Sequence, residues 1–252
     1  MRLILKATTT NVLKTAGEHP ILSSLNSIPL FRLECVPTKH SNSDKLRFVV
    51  DSENNIIALV SRNFQLTQPR EVIREFIAPF VDDVWKWEIH YGQGNVVCRF
   101  IFKDFVDVDE LKIRPGFMLF DSVTKQFKLR IVQAPYVSNC GNELILERAS
   151  FSRKHLGLIK VDLKRFIEKF KEWLFDLRLL KFERDRLEKE KIGKESFEAI
   201  LRDLNLPEKY TKGIVWKPDY TLWNLWMDLT NKLSKLNAPI QHHLKVAKIL
   251  KI

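Results

Sequence analysis

Cysteine is scarce in this chain of 252 residues: Cys35, Cys98 and Cys140 are widely spaced, odd in number, and form no CxxC pair. This excludes a disulfide scaffold and a ribbon-type zinc site, and it fits a reducing cytoplasm, that of a host cell if the source is viral. Glycine is also sparse. The eight glycines are scattered and no GxxxxGK[ST] segment occurs, so a phosphate-cradling loop with ATP hydrolysis is not expected. Long apolar runs are missing as well. Stretches such as Phe117–Phe120 fall far short of the roughly 20 residues a bilayer crossing needs, so no membrane partner is expected. The opening segment reaches Lys6 and Thr8 before an apolar core can form, which argues against a secretory signal.

What the chain has in excess is positive charge. The formal net charge is +11, with 45% hydrophobic and 29% charged residues. Such a surplus costs self-repulsion and is offset most simply by a polyanionic partner, with nucleic acid first. The bland alternative is a basic balance that only keeps the protein in solution. Seventeen Phe and six Trp supply material for a full core, either one large domain or a core with a helical appendage.

Periodicity places the elements. A strand is predicted near Leu30–Val36, and two β-branched runs, Leu46–Val50 and Ile56–Val60, flank the turn-rich Asp51–Asn55 as a hairpin. Val72, Ile73, Phe76, Ile77 and Phe80 repeat at helical spacing behind Pro69. Strands follow at Trp85–His90, Val96–Phe102 and Phe117–Phe120, and in the 125–131 stretch Lys128 and Arg130 alternate with Phe127, Leu129 and Ile131. From Val161 a long helix runs on into the charged segment Phe182–Lys191. Helices at Glu195–Leu204, Tyr220–Leu236 and Ile240–Leu250 come next, with Pro207, Pro218 and Pro239 at their boundaries. The expected class is α+β: a largely antiparallel sheet, a long helix and a helical C-terminal region. The expected division is a mainly β core over 1–160 and a helical region over 161–252 packed on it.

Four stretches in order carry a resemblance. They are Ile57–Leu66 (IALVSRNFQL) before the amphipathic helix, Pro115–Ser122 (PGFMLFDS), Tyr136–Ile145 (YVSNCGNELI) with Arg153-Lys154-His155 after it, and Thr221–Trp226 (TLWNLW). Together they resemble a phage- and plasmid-borne family of domains of unknown function, over roughly residues 55–235. The sequence departs from that pattern at Asp121, where the family tends to have Asn, and at Lys125, where it has Gly. The order around Cys140 is scrambled, and Met227-Asp228 replaces Asn-Ala. The resemblance implies a mobile-element or viral origin and an α+β fold, with some likeness to proteins that anneal single-stranded DNA.

The six histidines show no HxH or HExxH spacing, and adjacent His242 and His243 diverge by about 100° on a helix, so no metal or other cofactor is expected. Asp82, Asp83, Asp104, Asp107, Asp109 and Glu110 could in principle hold Mg²⁺ for a nuclease, with Lys103 and Lys112 flanking the second cluster, but Asp107-Val108-Asp109 reads more simply as a solvated loop. Cys140 with His155 is a conceivable nucleophile and base, against the simpler reading of a packed cysteine. The basic constellation weighs most. Lys125, Lys128 and Arg130 would line one face of a hairpin, and Arg153, Lys154 and Lys160 would continue a phosphate track toward the long helix. Tyr136 and Phe151 would stack bases. The leading expectation is a non-enzymatic protein that binds or anneals single-stranded nucleic acid for a virus or mobile element in replication or recombination, with self-association into a homo-oligomer. Two rivals stand beside it: an anti-CRISPR-like inhibitor that contacts a host defence ribonucleoprotein, and a metal-dependent nuclease.

Overall fold

The computed structural model describes residues 19–36, 45–138, 140–156, 159–236, 238 and 240–249. The chain forms two compact units. Unit 1 takes residues within 1–102, 118–131 and 151–173, and unit 2 takes 103–117, 132–150 and 174–252. These two units interleave along the chain. The change of pattern near 161 marks where strands give way to helices, whereas packing is decided by which apolar faces meet. In unit 2, Ile113, Val137, Leu144 and Leu146 from strand segments share one core with Leu180, Leu187, Phe197, Trp226 and Leu229 from helices.

Unit 1 begins with a short helix, α1 (Pro20–Ser24), and an antiparallel sheet of β1 (Phe31–Cys35), β2 (Leu46–Asp51) and β3 (Ile56–Ser61) in that order. The β2–β3 turn is held by Asp51, whose Oδ1 accepts the backbone N–H groups of Glu53 and Asn55 at 2.9 Å each, while Asn54 takes φ +67°. Helix α2 (Pro69–Ile77) starts on its proline and buries Val72, Ile73, Phe76 and Ile77. A 3₁₀ segment then leads into β4 (Val84–Gly92) and β5 (Asn95–Phe102). Their connection has positive φ at both Gln93 (+51°) and Gly94 (+73°), the turn whose twist suits a tight hairpin. Gly94 is required for space too. A Cβ there would lie 2.7 to 2.8 Å from methyl groups of Ile57, Val123 and Thr124.

After the short strands β6 (Val106–Val108) and β7 (Leu111–Arg114) come β8 (Gly116–Ser122), β9 (Leu129–Gln133), β10 (Tyr136–Val137), β11 (Asn142–Glu143) and β12 (Leu146–Arg153). One sheet has the order β12-β9-β8-β5-β4, and β8 is buried along its whole length. In unit 1, Phe76 meets Phe170 at 4.9 Å and Phe166 meets Trp173 at 5.1 Å between ring centroids. These rings join α2 to α3 (Ile159–Glu168) and α4 (Phe170–Phe175).

Periodicity alone predicts one long helix from Val161, but the chain breaks it into α3, α4 and α5 (Arg178–Lys189). Asp176 marks the last restart. Its carboxylate accepts the Arg178 backbone N–H at 3.2 Å and its guanidinium at 2.6 and 2.8 Å. Unit 2 continues with α6 (Lys194–Leu204), α7 (Glu208–Thr211), α8 (Leu222–Lys235) and α9 (Ile240–Ile249), beside a sheet ordered β11-β10-β7-β6. Thr221 and Asn224 form a capping box that starts α8. Asn142 Nδ2 donates to the Met227 carbonyl at 3.0 Å, and the Glu143 N–H donates to Ser234 Oγ at 3.2 Å, so the Tyr136–Ile145 stretch docks on α8. The architecture is α+β with antiparallel sheets and a helical C-terminal region. Among the described residues, no helix is long and apolar enough to cross a membrane.

Candidate nucleic-acid interface

Three segments remote in sequence, around Gln65–Thr67, Asp121–Ser122 and His155, meet inside unit 1. Thr67, just past Ile57–Leu66, donates its hydroxyl to Asp121 Oδ2 at 2.8 Å, and Asp121 Oδ1 accepts the Ser122 N–H at 2.9 Å. His155 closes the knot. Its Nε2 lies 2.9 Å from Asp121 Oδ1 without meeting hydrogen-bond geometry. Its Nδ1 is 3.3 Å from the Gln65 carbonyl and 3.4 Å from Thr67 Oγ. The Gln65 N–H in turn donates to the His155 carbonyl at 2.8 Å, which fastens the two segments backbone to backbone.

Asp121 is fully buried, and Thr67 and His155 are nearly so. A buried carboxylate is costly unless it is partnered, and here three separate elements supply the partners. The resemblance to a hydroxyl–imidazole–carboxylate catalytic set goes no further than composition. The hydroxyl is spent on the carboxylate, and the group is closed to solvent. The polar groups placed around both ring nitrogens of His155 all belong to unit 1. Cys140 sits in unit 2, where burial pushes its thiol upward against the lowering effect of backbone N–H groups and Lys235. Cys98 is fully buried, and burial followed by the Asp121 charge raises its thiol well above the ordinary range. Neither thiol is set up as a nucleophile.

Of the predicted cations, Lys125 stands over an aromatic ring of this region and Arg153 and Lys154 directly precede His155. The Phe64 ring stacks on His155 at 5.1 Å and 24°, and Lys125 Nζ stands 5.8 Å from the Phe64 ring centroid. Lys125 does not lie on a strand. It has φ +63° in the turn between β8 and β9, and Lys128 lies in the same connection, because β9 begins only at Leu129. The expected alternating face therefore shrinks to Arg130, half-buried between the buried Leu129 and Ile131. Lys125 and Lys128 are both exposed.

Arg153 and Lys154 are exposed at the end of β12, next to His155. Arg153 is partly occupied, since its Nε donates to Asp162 at 2.8 Å and its guanidinium lies 5.4 Å from the Phe151 ring. Lys160 lies on α3 and its side chain falls outside the described residues. Arg62, two residues before Phe64 in the turn after β3, is exposed, and its backbone N–H donates to the Lys45 carbonyl. Sequence reasoning quoted Arg62 only as part of a motif, since nothing local showed that its turn returns to residue 155. Phe151 is not free to stack on a base, because it is buried and stacked on Phe166 at 4.8 Å.

The acidic segment forms a hairpin instead of a loop, and its acidic side chains are exposed as expected. Asp109 sits at its turn with φ +53°, and its carboxylate receives Lys181 at 3.0 Å and Arg184 at 3.5 Å from α5. Among the described residues, no group of three or more His, Cys, Asp or Glu is placed to hold a metal ion. His242 packs on Tyr210 with ring centroids 5.1 Å apart, while its neighbour His243 is buried. Compared with known proteins, the chain matches no family model, no curated protein and no solved structure.

Proposed function

We propose that this protein binds single-stranded nucleic acid without chemical turnover, through a phosphate-contacting patch of Arg62, Lys125, Arg153 and Lys154 arranged about the Phe64–His155 stack. Lys128 and Arg130 extend it along the β8–β9 connection. The observation that carries the reading is that Lys125 stands over Phe64, whose stacking partner His155 directly follows the exposed Arg153-Lys154 pair. The formal charge of +11 supports it from composition. Because Phe64 is buried, the patch would grip phosphates and leave bases unread, so binding should be weakly sequence-dependent and strongly salt-dependent. A role in annealing or recombination for a mobile element, with self-association, follows from the same reading. The test is fluorescence anisotropy with single-stranded DNA, duplex DNA and RNA probes at several ionic strengths. Affinity for single strands that falls steeply with salt is expected. No binding at low salt would overturn the reading and favour an inhibitor that acts on a host protein complex.

A further inference from the structure

Unit 2 also carries cations, and most of those on α5 are matched. Arg178 is held by Asp176, Lys181 and Arg184 by Asp109, and Arg186 by Glu183 and Glu190, so that helix is close to neutral in its contacts. The corner between α7 and α9 is different. Tyr210 is buried there and acts as a hub. Lys209 Nζ stands 4.8 Å from its ring centroid, and the His242 ring lies 5.1 Å away at 50°. Lys245, one turn beyond His242 on α9, donates its Nζ to the Asn205 carbonyl at 3.2 Å, at the left-handed residue that ends α6.

Lys209 from α7 and His242 from α9 thus meet on Tyr210, with Lys245 on the end of α6 beside them, and among the described residues neither lysine is ion-paired with a carboxylate. The nearby acids, Asp203 on α6 and Glu208 on α7, are exposed and unengaged with them. The charges that act on His242 are Lys245 from its own helix and Lys209 from α7. Burial first, then these two, hold its pKa below the ordinary value of 6.5. A cluster of cations that repel one another around a titratable ring is stabilised by an anion that sits among them.

We propose that Lys209, His242 and Lys245 form a phosphate-binding locus whose occupant is a backbone phosphate of single-stranded nucleic acid. The choice of occupant rests on the function proposed above, but the locus itself does not. By linkage, a phosphate held there favours the imidazolium, and the imidazolium favours the phosphate, so occupancy tightens as pH falls toward the His242 midpoint.

The test follows the His242 ring resonances of the full chain by NMR through a pH titration. The titration is run alone, with inorganic phosphate and with a short oligothymidylate, and a His242→Gln variant assigns the signal. Both anions should raise the midpoint. In a Lys209→Gln, Lys245→Gln variant the midpoint should already be higher without anion, and neither anion should move it further. That variant keeps side-chain length at the surface, and its melting temperature checks the fold, with a Lys209→Ala single variant in reserve. In anisotropy its salt slope for single strands should flatten by about one unit per lost contact. If neither anion moves His242, the locus is refuted. If the oligonucleotide binds wild type but neither moves His242 nor distinguishes the variant, the locus fails while the proposed function stands. If inorganic phosphate moves His242 but no oligonucleotide binds anywhere, the proposed function and the nucleic-acid occupant both fail.

Discussion

Replacing Asp121 with Ala should unfold unit 1 more readily than any surface change, and the structure sets the size of the effect. The carboxylate is fully buried and serves three groups: the Thr67 hydroxyl at 2.8 Å, the Ser122 N–H at 2.9 Å and His155 Nε2 at 2.9 Å. Truncation leaves all three without it in a site that water does not reach. A buried donor left unsatisfied costs about 1–3 kcal/mol, but Thr67 keeps His155 Nδ1 at 3.4 Å, so the losses do not add fully. The expected total is about 3–5 kcal/mol, the range for breaking one side of a buried polar pair. At roughly 2–4 °C per kcal/mol in a chain of this size, the melting temperature should fall by about 10 °C. Asp121→Asn keeps the shape and one acceptor oxygen. It should cost only about 1–2 kcal/mol. Urea unfolding followed by tryptophan fluorescence compares the two variants with wild type. An Ala variant within about 0.5 kcal/mol of wild type, or an Asn variant as damaged as the Ala one, would refute the knot as the fastening of residues 65–67, 121 and 155.

Acid should weaken the protein through Glu88. Burial alone would raise its pKa, but hydrogen bonds and charge from His90, Arg99 and Lys86 outweigh burial and bring it from 4.5 to about 2. The folded-state value is depressed, so the stabilisation is complete above the ordinary value and is lost as pH falls from 4.5 through about 2. Urea midpoints across that window should drop more in wild type than in Glu88→Gln, and parallel curves would contradict the assignment. Gly94→Ala should cost about 2 kcal/mol or more, because the backbone is at φ +73° and the new methyl meets three side chains at 2.7 to 2.8 Å. A neutral melt would show that the hairpin relaxes there.

Much of the fold was legible where a pattern is local. The β2–β3 hairpin, the Pro69 helix and the helices near 195–204, 222–235 and 240–249 follow from periodicity and from turn residues such as Asn54 and Pro207. Long-range choices were not legible. The β6–β7 hairpin was hidden because Asp104, Asp107, Asp109 and Glu110 look solvated until Lys181 and Arg184 arrive from α5, some 70 residues away. The break at Asp176 was hidden because the apolar spacing of Phe170, Trp173, Leu174 and Leu177 runs straight through it. At the site, cation identity was readable but placement was not. Alternation placed Lys125 and Lys128 on a strand, whereas Lys125 adopts a left-handed conformation that no pattern of apolar residues reports. Asp121, Thr67 and His155 gave no local sign of meeting, since their partners lie 54 and 88 residues apart along the chain.

The most direct test of the central claim is the salt dependence of single-strand binding by a Lys125→Ala, Lys154→Ala variant, measured beside wild type and beside Leu129→Ala. Both lysines are exposed, so the double variant should melt within about 0.5 kcal/mol of wild type per substitution. Leu129 is fully buried, and its truncation should cost about 2–5 kcal/mol while affecting binding only through unfolding. The account predicts that the lysine variant stays folded, binds more weakly, and has a salt slope flatter by about one unit per lost contact. A folded double variant with wild-type affinity and wild-type slope would contradict it.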